Sequence, residues 1–199
     1  MQKRIALFGG SFDPIHLAHT ALAVKALEAL RVDGVELIPA ANPWQRAPLT
    51  DARHRLKMVD IAIEGLPGLS VNPIEIQRGG ASYTLDTLRQ LHAQRPQVRW
   101  TWVLGADQLA NFCTWHQWQA IVDLADLAVA ARPGSQLSPP DALQQALSQA
   151  NRQLSLIPME ALPISSSNIR ERLQHNQSVQ GLLDPRVLTY IREHHLYQQ

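Results

Sequence analysis

The first forty residues alternate in a way that leaves few folds open. Ile5-Ala6-Leu7-Phe8 is a short, wholly apolar run ending at Gly9-Gly10, the pattern of a strand buried on both faces. Ala18–Leu30 sets Leu22, Val24, Leu27 and Leu30 among Ala, Lys and Glu and reads as a helix. Gly34 closes that region, and Val35-Glu36-Leu37-Ile38 begins a second strand stopped by Pro39. Strand, helix, strand in that order implies a right-handed crossover within a parallel sheet.

The alternation continues to the C-terminal region. Thr50 is placed to cap a helix running to Ile63. Leu69-Ser70-Val71 and Ile74-Glu75-Ile76 read as a third extended region broken by Pro73. Ser82 is placed to cap a helix carrying Leu85, Leu88 and Leu91. Strands are expected at Arg99–Leu104, within Leu124–Ala131 and at Leu154–Ile157, and helices at Pro139–Ala150, Asn168–Leu173 and Pro185–His195. This order predicts one doubly wound α/β domain over 1–199, a mainly parallel sheet with helices on both faces. Residues 164–199 would form its C-terminal helical part.

Composition narrows the function. A length of 199 residues with 45% hydrophobic side chains suits one domain with a real core. A net charge of +1 gives no global field toward nucleic acid or an acidic membrane, so a bound anion needs a local cluster. The one cysteine, Cys113, excludes an intramolecular disulfide and a cysteine zinc site, and reads as a small buried hydrophobe. No stretch approaches the roughly 20 apolar residues of a membrane span. The run Ile5–Phe8 after Lys3-Arg4 is too short for a signal sequence, so the cytoplasm is expected. A homo-oligomer is left open.

In an open parallel sheet, ligands sit beyond the carboxyl ends of the strands. At the first such end Gly9 and Gly10 permit close approach of backbone to a ligand, and the following helix directs free N–H groups at the same space. His16 and His19, three apart, share one face of that helix and can donate to phosphate oxygens. Neither a Gly-x-x-x-x-Gly-Lys-Ser/Thr loop nor a Gly-x-Gly-x-x-Gly turn is present. A second cluster, Ile164-Ser165-Ser166-Ser167-Asn168-Ile169-Arg170, offers hydroxyls, a helix start and a guanidinium. Two such segments suit a triphosphate, with Mg²⁺ bridging its oxygens; no dedicated metal cage is visible. Further along, Ser82-Tyr83-Thr84 opens a helix able to meet an anion, Asp107 follows a strand end, and Trp115 lies just beyond it. These suggest a pocket for a planar ring with a negative substituent and a sugar. Trp100, Trp102 and Trp118 read as core packing.

The segment Gly9–His19 resembles the His-x-Gly-His signature of the nucleotidyltransferase superfamily, with Ala18 in place of the usual glycine. Members of that superfamily share a Rossmann-like fold, and they carry a segment similar to Ile164–Arg170 that holds the ATP phosphates. Ser82-Tyr83-Thr84, Gly105-Ala106-Asp107 and Phe112-x-x-Trp115-x-x-Trp118 together resemble the bacterial nicotinate mononucleotide adenylyltransferases, over nearly the whole chain. The resemblance implies adenylyl transfer from ATP to nicotinate mononucleotide, with His16, His19 and Arg170 catalytic. It implies that Gly9, Gly10, Ser11, Phe12, Ser166 and Ser167 join them in binding ATP. For the mononucleotide it implies Ser82, Tyr83, Thr84, Asp107 and Trp115. Pro43-Trp44-Gln45-Arg46 stands where many members have Pro-His-Lys, and Arg46 would supply the positive charge there. The competing readings are a related transferase with another acceptor, such as phosphopantetheine, and a nucleotide sensor without turnover. The remaining histidines read as structural or surface residues.

Overall fold

The computed structural model describes residues 2–42 and 49–198. Its centre is a six-stranded sheet of β1 (Arg4–Gly10), β2 (Gly34–Pro39), β3 (Leu69–Val71), β4 (Arg99–Gly105), β5 (Asp126–Ala131) and β6 (Leu154–Pro158). The order is β3-β2-β1-β4-β5-β6, with every pairing parallel. This is the Rossmann-like doubly wound arrangement, fully and not merely mainly parallel. The winding reverses between β1 and β4, and a crevice opens there at the strand ends.

Side chains alternate along the strands and feed two cores. Ala6 and Phe8 of β1, with Val35, Leu37, Val103 and Ala128, face α1 (Leu17–Leu30), α2 (Ala52–Ile63), α8 (Ser166–Gln174) and α9 (Pro185–Glu193). Ile5 and Leu7, with Trp100, Trp102, Leu104 and Leu127, face the other way. On that side lie α3 (Ile74–Arg78), α4 (Thr84–Gln94), α5 (Ala106–Asn111), α6 (Trp118–Leu124) and α7 (Asp141–Gln149). No helix among the described residues is long and apolar enough to cross a membrane.

Three local expectations change. Ile74–Ile76 is not extended: Pro73 takes the N-cap position and Ile74–Arg78 forms a short helix. Asp51 replaces Thr50 as the cap of α2, its carboxylate accepting from the Arg53 N–H at 2.8 Å. Ser82 does not cap α4. Its hydroxyl accepts from the Ala41 and Asn42 N–H groups at 2.9 and 3.3 Å, pinning the start of α4 to the end of β2.

Candidate active site

His16 is the N-cap of α1 and His19 its third residue, so the helix start itself sets the two imidazoles one turn apart. The rings stack, with centroids 3.6 Å apart and planes 22° from parallel. The His19 Nδ1 accepts from the His16 backbone N–H at 3.2 Å, which leaves Nε2 as the ring atom of a neutral His19 that carries hydrogen. His16 is 6% exposed, and burial pulls its pKa down to about 4. Its Nδ1 is buried with no hydrogen-bond partner among the described residues. Ala18, the residue that departs from the signature, lies half-buried within α1; alanine favours a helix over glycine by about 1 kcal/mol.

Glycine at positions 9 and 10 is required by packing from below. A Cβ at Gly9 would lie 2.7 Å from the Trp102 ring, and one at Gly10 would lie 2.9 Å from Phe12. Phe12, at φ +47° and 1% exposed, is folded beneath the turn. It packs edge-on to Phe8 and to His19, with ring centroids 5.5 and 5.1 Å away. Phe12 is therefore a support of the turn and does not line the space above it.

The C-terminal segment docks on this turn. The Ser165 hydroxyl accepts from the Asn168 N–H at 3.2 Å and caps α8. The Ser166 hydroxyl donates to the Pro14 carbonyl at 2.9 Å, and Arg170 Nη1 donates to the Asp13 carbonyl at 2.7 Å. Arg170 is thus tied to the backbone behind the histidines and is not on the wall of the cleft.

A cleft of about 620 Å³ runs along the strand ends between these elements. On one side it is lined by Gly9, Gly10, Ser11, His16, His19, Ser166 and Ser167. On the other it is lined by Ser82, Tyr83, Thr84, Asp107 and Trp115. Tyr83 occupies the N-cap position of α4 without a side-chain hydrogen bond, so its side chain leaves the first-turn N–H groups of that helix uncapped. Trp115 follows a 3₁₀ turn at Phe112–Thr114 and packs on Phe112 at 5.1 Å between centroids, while Trp118 meets the same ring edge-on. Arg46 and its neighbours Pro43, Trp44 and Gln45 lie outside the described residues.

Sequence reasoning passed over four residues of this wall. Trp102 forms part of the floor, and Gln108 also lines the cleft. His116, expected to be structural or surface, lines the cleft and packs at a tilt against Tyr83, with centroids 4.7 Å apart and planes 35° from parallel; its place beside Trp115 after a strand end was the available signal. Glu75 is 4% exposed, accepts from the Thr87 hydroxyl at 2.7 Å, and has its pKa raised by burial.

The fold and the cleft define a nucleotide-handling α/β domain, and the cytidylyltransferase-like family model matches residues 7–172. A probable nicotinate-nucleotide adenylyltransferase of Bordetella avium (strain 197N) is 57% identical over 198 residues, covering 98% of each chain. One from Pseudomonas aeruginosa (strain UCBPP-PA14) is 37% identical over 211 residues, covering 100% of this chain and 99% of the relative. The chain belongs to the nicotinate-nucleotide adenylyltransferases, within the cytidylyltransferase-like family. Its fold matches the Plasmodium falciparum nicotinic acid mononucleotide adenylyltransferase complexed with NaAD, with a TM-score of 0.80 at 21% identity. That match covers 98% of this chain and 97% of the other.

Proposed function

We propose that the cleft transfers the adenylyl group of ATP to nicotinate mononucleotide, giving nicotinate adenine dinucleotide and pyrophosphate in NAD biosynthesis. One observation carries the reading: segments far apart in the chain converge on one cleft, with a phosphate-type wall facing a ring-and-anion-type wall. In the reaction an oxygen of the mononucleotide phosphate forms a bond to the α-phosphorus of ATP. The bond from that phosphorus to the bridging oxygen breaks, and pyrophosphate leaves with its electron pair. A phosphate monoester has a second pKa near 6, so near neutral pH the nucleophile is already largely dianionic and needs no general base. The protein's work is alignment and charge stabilisation.

The residues divide that work as follows. His19 donates from Nε2 to a phosphate oxygen. His16, held neutral by burial, offers a hydrogen bond without charge. The N-terminus of α8 with Ser166 and Ser167 meets the β and γ phosphates as negative charge builds on the leaving group, and Arg170, held on the Asp13 carbonyl, adds its charge from behind the turn. Across the cleft, the uncapped start of α4 at Tyr83 and Thr84 receives the ring carboxylate, Trp115 stacks on the ring, and Asp107 binds within the same mononucleotide pocket. Mg²⁺ would enter with the triphosphate and would neutralise part of its charge.

The test is to incubate the protein with Mg·ATP and nicotinate mononucleotide, nicotinamide mononucleotide or phosphopantetheine, and to follow pyrophosphate. Release with nicotinate mononucleotide is expected. Release only with phosphopantetheine would overturn the acceptor, and release with none would favour a sensor.

A further inference from the structure

Behind the phosphate turn lies a polar cluster that the proposed mechanism does not use. Arg55 of α2 is 1% exposed, yet its guanidinium forms no salt bridge among the described residues. It donates instead to three backbone carbonyls on three segments. Nη1 reaches Ser11 at 2.8 Å, Nη2 reaches Ala41 at 3.1 Å, and Nε reaches Thr50 at 2.8 Å. Beside it Asp13, 3% exposed, takes the Tyr197 hydroxyl on Oδ1 at 2.6 Å and the Thr50 N–H on Oδ2 at 3.4 Å. The Asp13 carbonyl is the one that Arg170 holds.

Burying a guanidinium and a carboxylate without a direct pair costs stability, and apolar residues of similar size would serve a core at least as well. What the cluster provides is position. Ser11 lines the cleft and Asp13 begins the approach to His16, so both ends of the turn that presents the imidazoles are fixed from behind. Arg55 does this with a planar fork spanning three acceptors, which the point charge of a lysine cannot reproduce. Tyr197 brings the far end of the described chain to the same carboxylate.

We infer that Arg55 and Tyr197 are positioning residues for ATP: through Ser11 and Asp13 they hold the turn that carries His16 and His19. The inference rests on the assignment of that turn to the ATP phosphates. The test measures the Kd of a non-cleavable α,β-methylene ATP with Mg²⁺, the Kd of nicotinate mononucleotide and the Tm, for wild type, Arg55→Lys and Tyr197→Phe. Arg55→Lys should weaken the ATP analogue by roughly tenfold and Tyr197→Phe by roughly fivefold, the latter the equivalent of one net hydrogen bond. The mononucleotide Kd should move less than threefold in either variant. Equal weakening of both ligands in step with a fall in Tm would reduce the cluster to a structural support, and unchanged ATP affinity would overturn the proposal outright. Should Arg55→Lys not fold, Tyr197→Phe decides by the same measurements. Wild type that binds the ATP analogue but releases no pyrophosphate with nicotinate mononucleotide would break the acceptor assignment and leave this inference standing. Wild type that does not bind the analogue would overturn both.

Discussion

The two walls of the cleft differ in how their polar groups are held. On the wall proposed for ATP, Asp13 and His16 are 3% and 6% exposed, and hydrogen bonds bring together the turn before α1, α2 and the last forty positions. On the wall proposed for the acceptor, Asp107 and His116 are exposed, and their side chains meet only other side chains among the described residues: Gln108 Nε2 donates to Asp107 Oδ2 at 3.0 Å, and His116 leans on Tyr83. The difference suits the proposed division of the cleft. Charge that develops on a triphosphate is best met by dipoles that need no reorganisation. A ring and a sugar can be recognised by side chains that adjust around them.

The contrast breaks first at His19. His19→Ala should lower kcat by roughly 10²–10³-fold, with Tm shifted by only a few degrees; a variant with near-normal kcat would remove the imidazole from the chemistry and with it the claim of a rigid charge-stabilising wall.

Proton linkage tests the burial of His16. Its folded pKa of about 4 lies below the ordinary 6.5, so the unfolded chain binds the proton first. The stability tied to this residue is complete above pH 6.5 and is lost as pH falls from there toward 4. The loss amounts to roughly 2–3 kcal/mol. Urea unfolding at pH 7 and pH 4.5 should therefore show a smaller drop for His16→Gln than for wild type. Equal drops would mean that the ATP wall is as open to water as the other.

The smallest effect belongs to the acceptor side. Trp115→Ala should raise the KM for the mononucleotide by roughly tenfold, in line with about 1–3 kcal/mol for stacking a base on an aromatic ring. The KM for ATP should stay within twofold; a matching rise for ATP would show that the two walls are not separable.

Much of the architecture was readable from periodicity. The apolar run of β1, the helix to Leu30 and the second apolar run give a parallel crossover directly. Ile74–Arg78 escaped because five residues are too few for a 3.6-residue period to declare itself, and Ile-Glu-Ile mimics the period of a strand. At the site, Gly9, Gly10, His16, His19, Ser166 and Ser167 were legible because Gly, His and Ser near strand ends and helix starts are locally unusual, whereas Glu75 and Gln108 carry no such mark. The supports were not. Arg55 lies in a helix with charged neighbours, where an arginine reads as surface; its burial depends on carbonyls 5, 14 and 44 positions away. The pattern Ile164–Arg170 points the guanidinium at phosphate, whereas in the fold Arg170 donates to the Asp13 carbonyl.

The Asp13–Tyr197 hydrogen bond joins positions 184 apart, and this separation bears on how the enzyme is made. The glycine turn leaves the ribosome before the segments that brace it, and β1 can begin to pair with β2 while those segments are still unsynthesised. Its partners Ser166, Arg170 and Tyr197 follow 152, 157 and 184 positions behind the residues they hold. Contacts of such long range are closed late, because the entropy of the intervening loop is spent before they reward it. A nascent chain can therefore carry the signature of a nucleotide site well before it has the means to hold that site in shape.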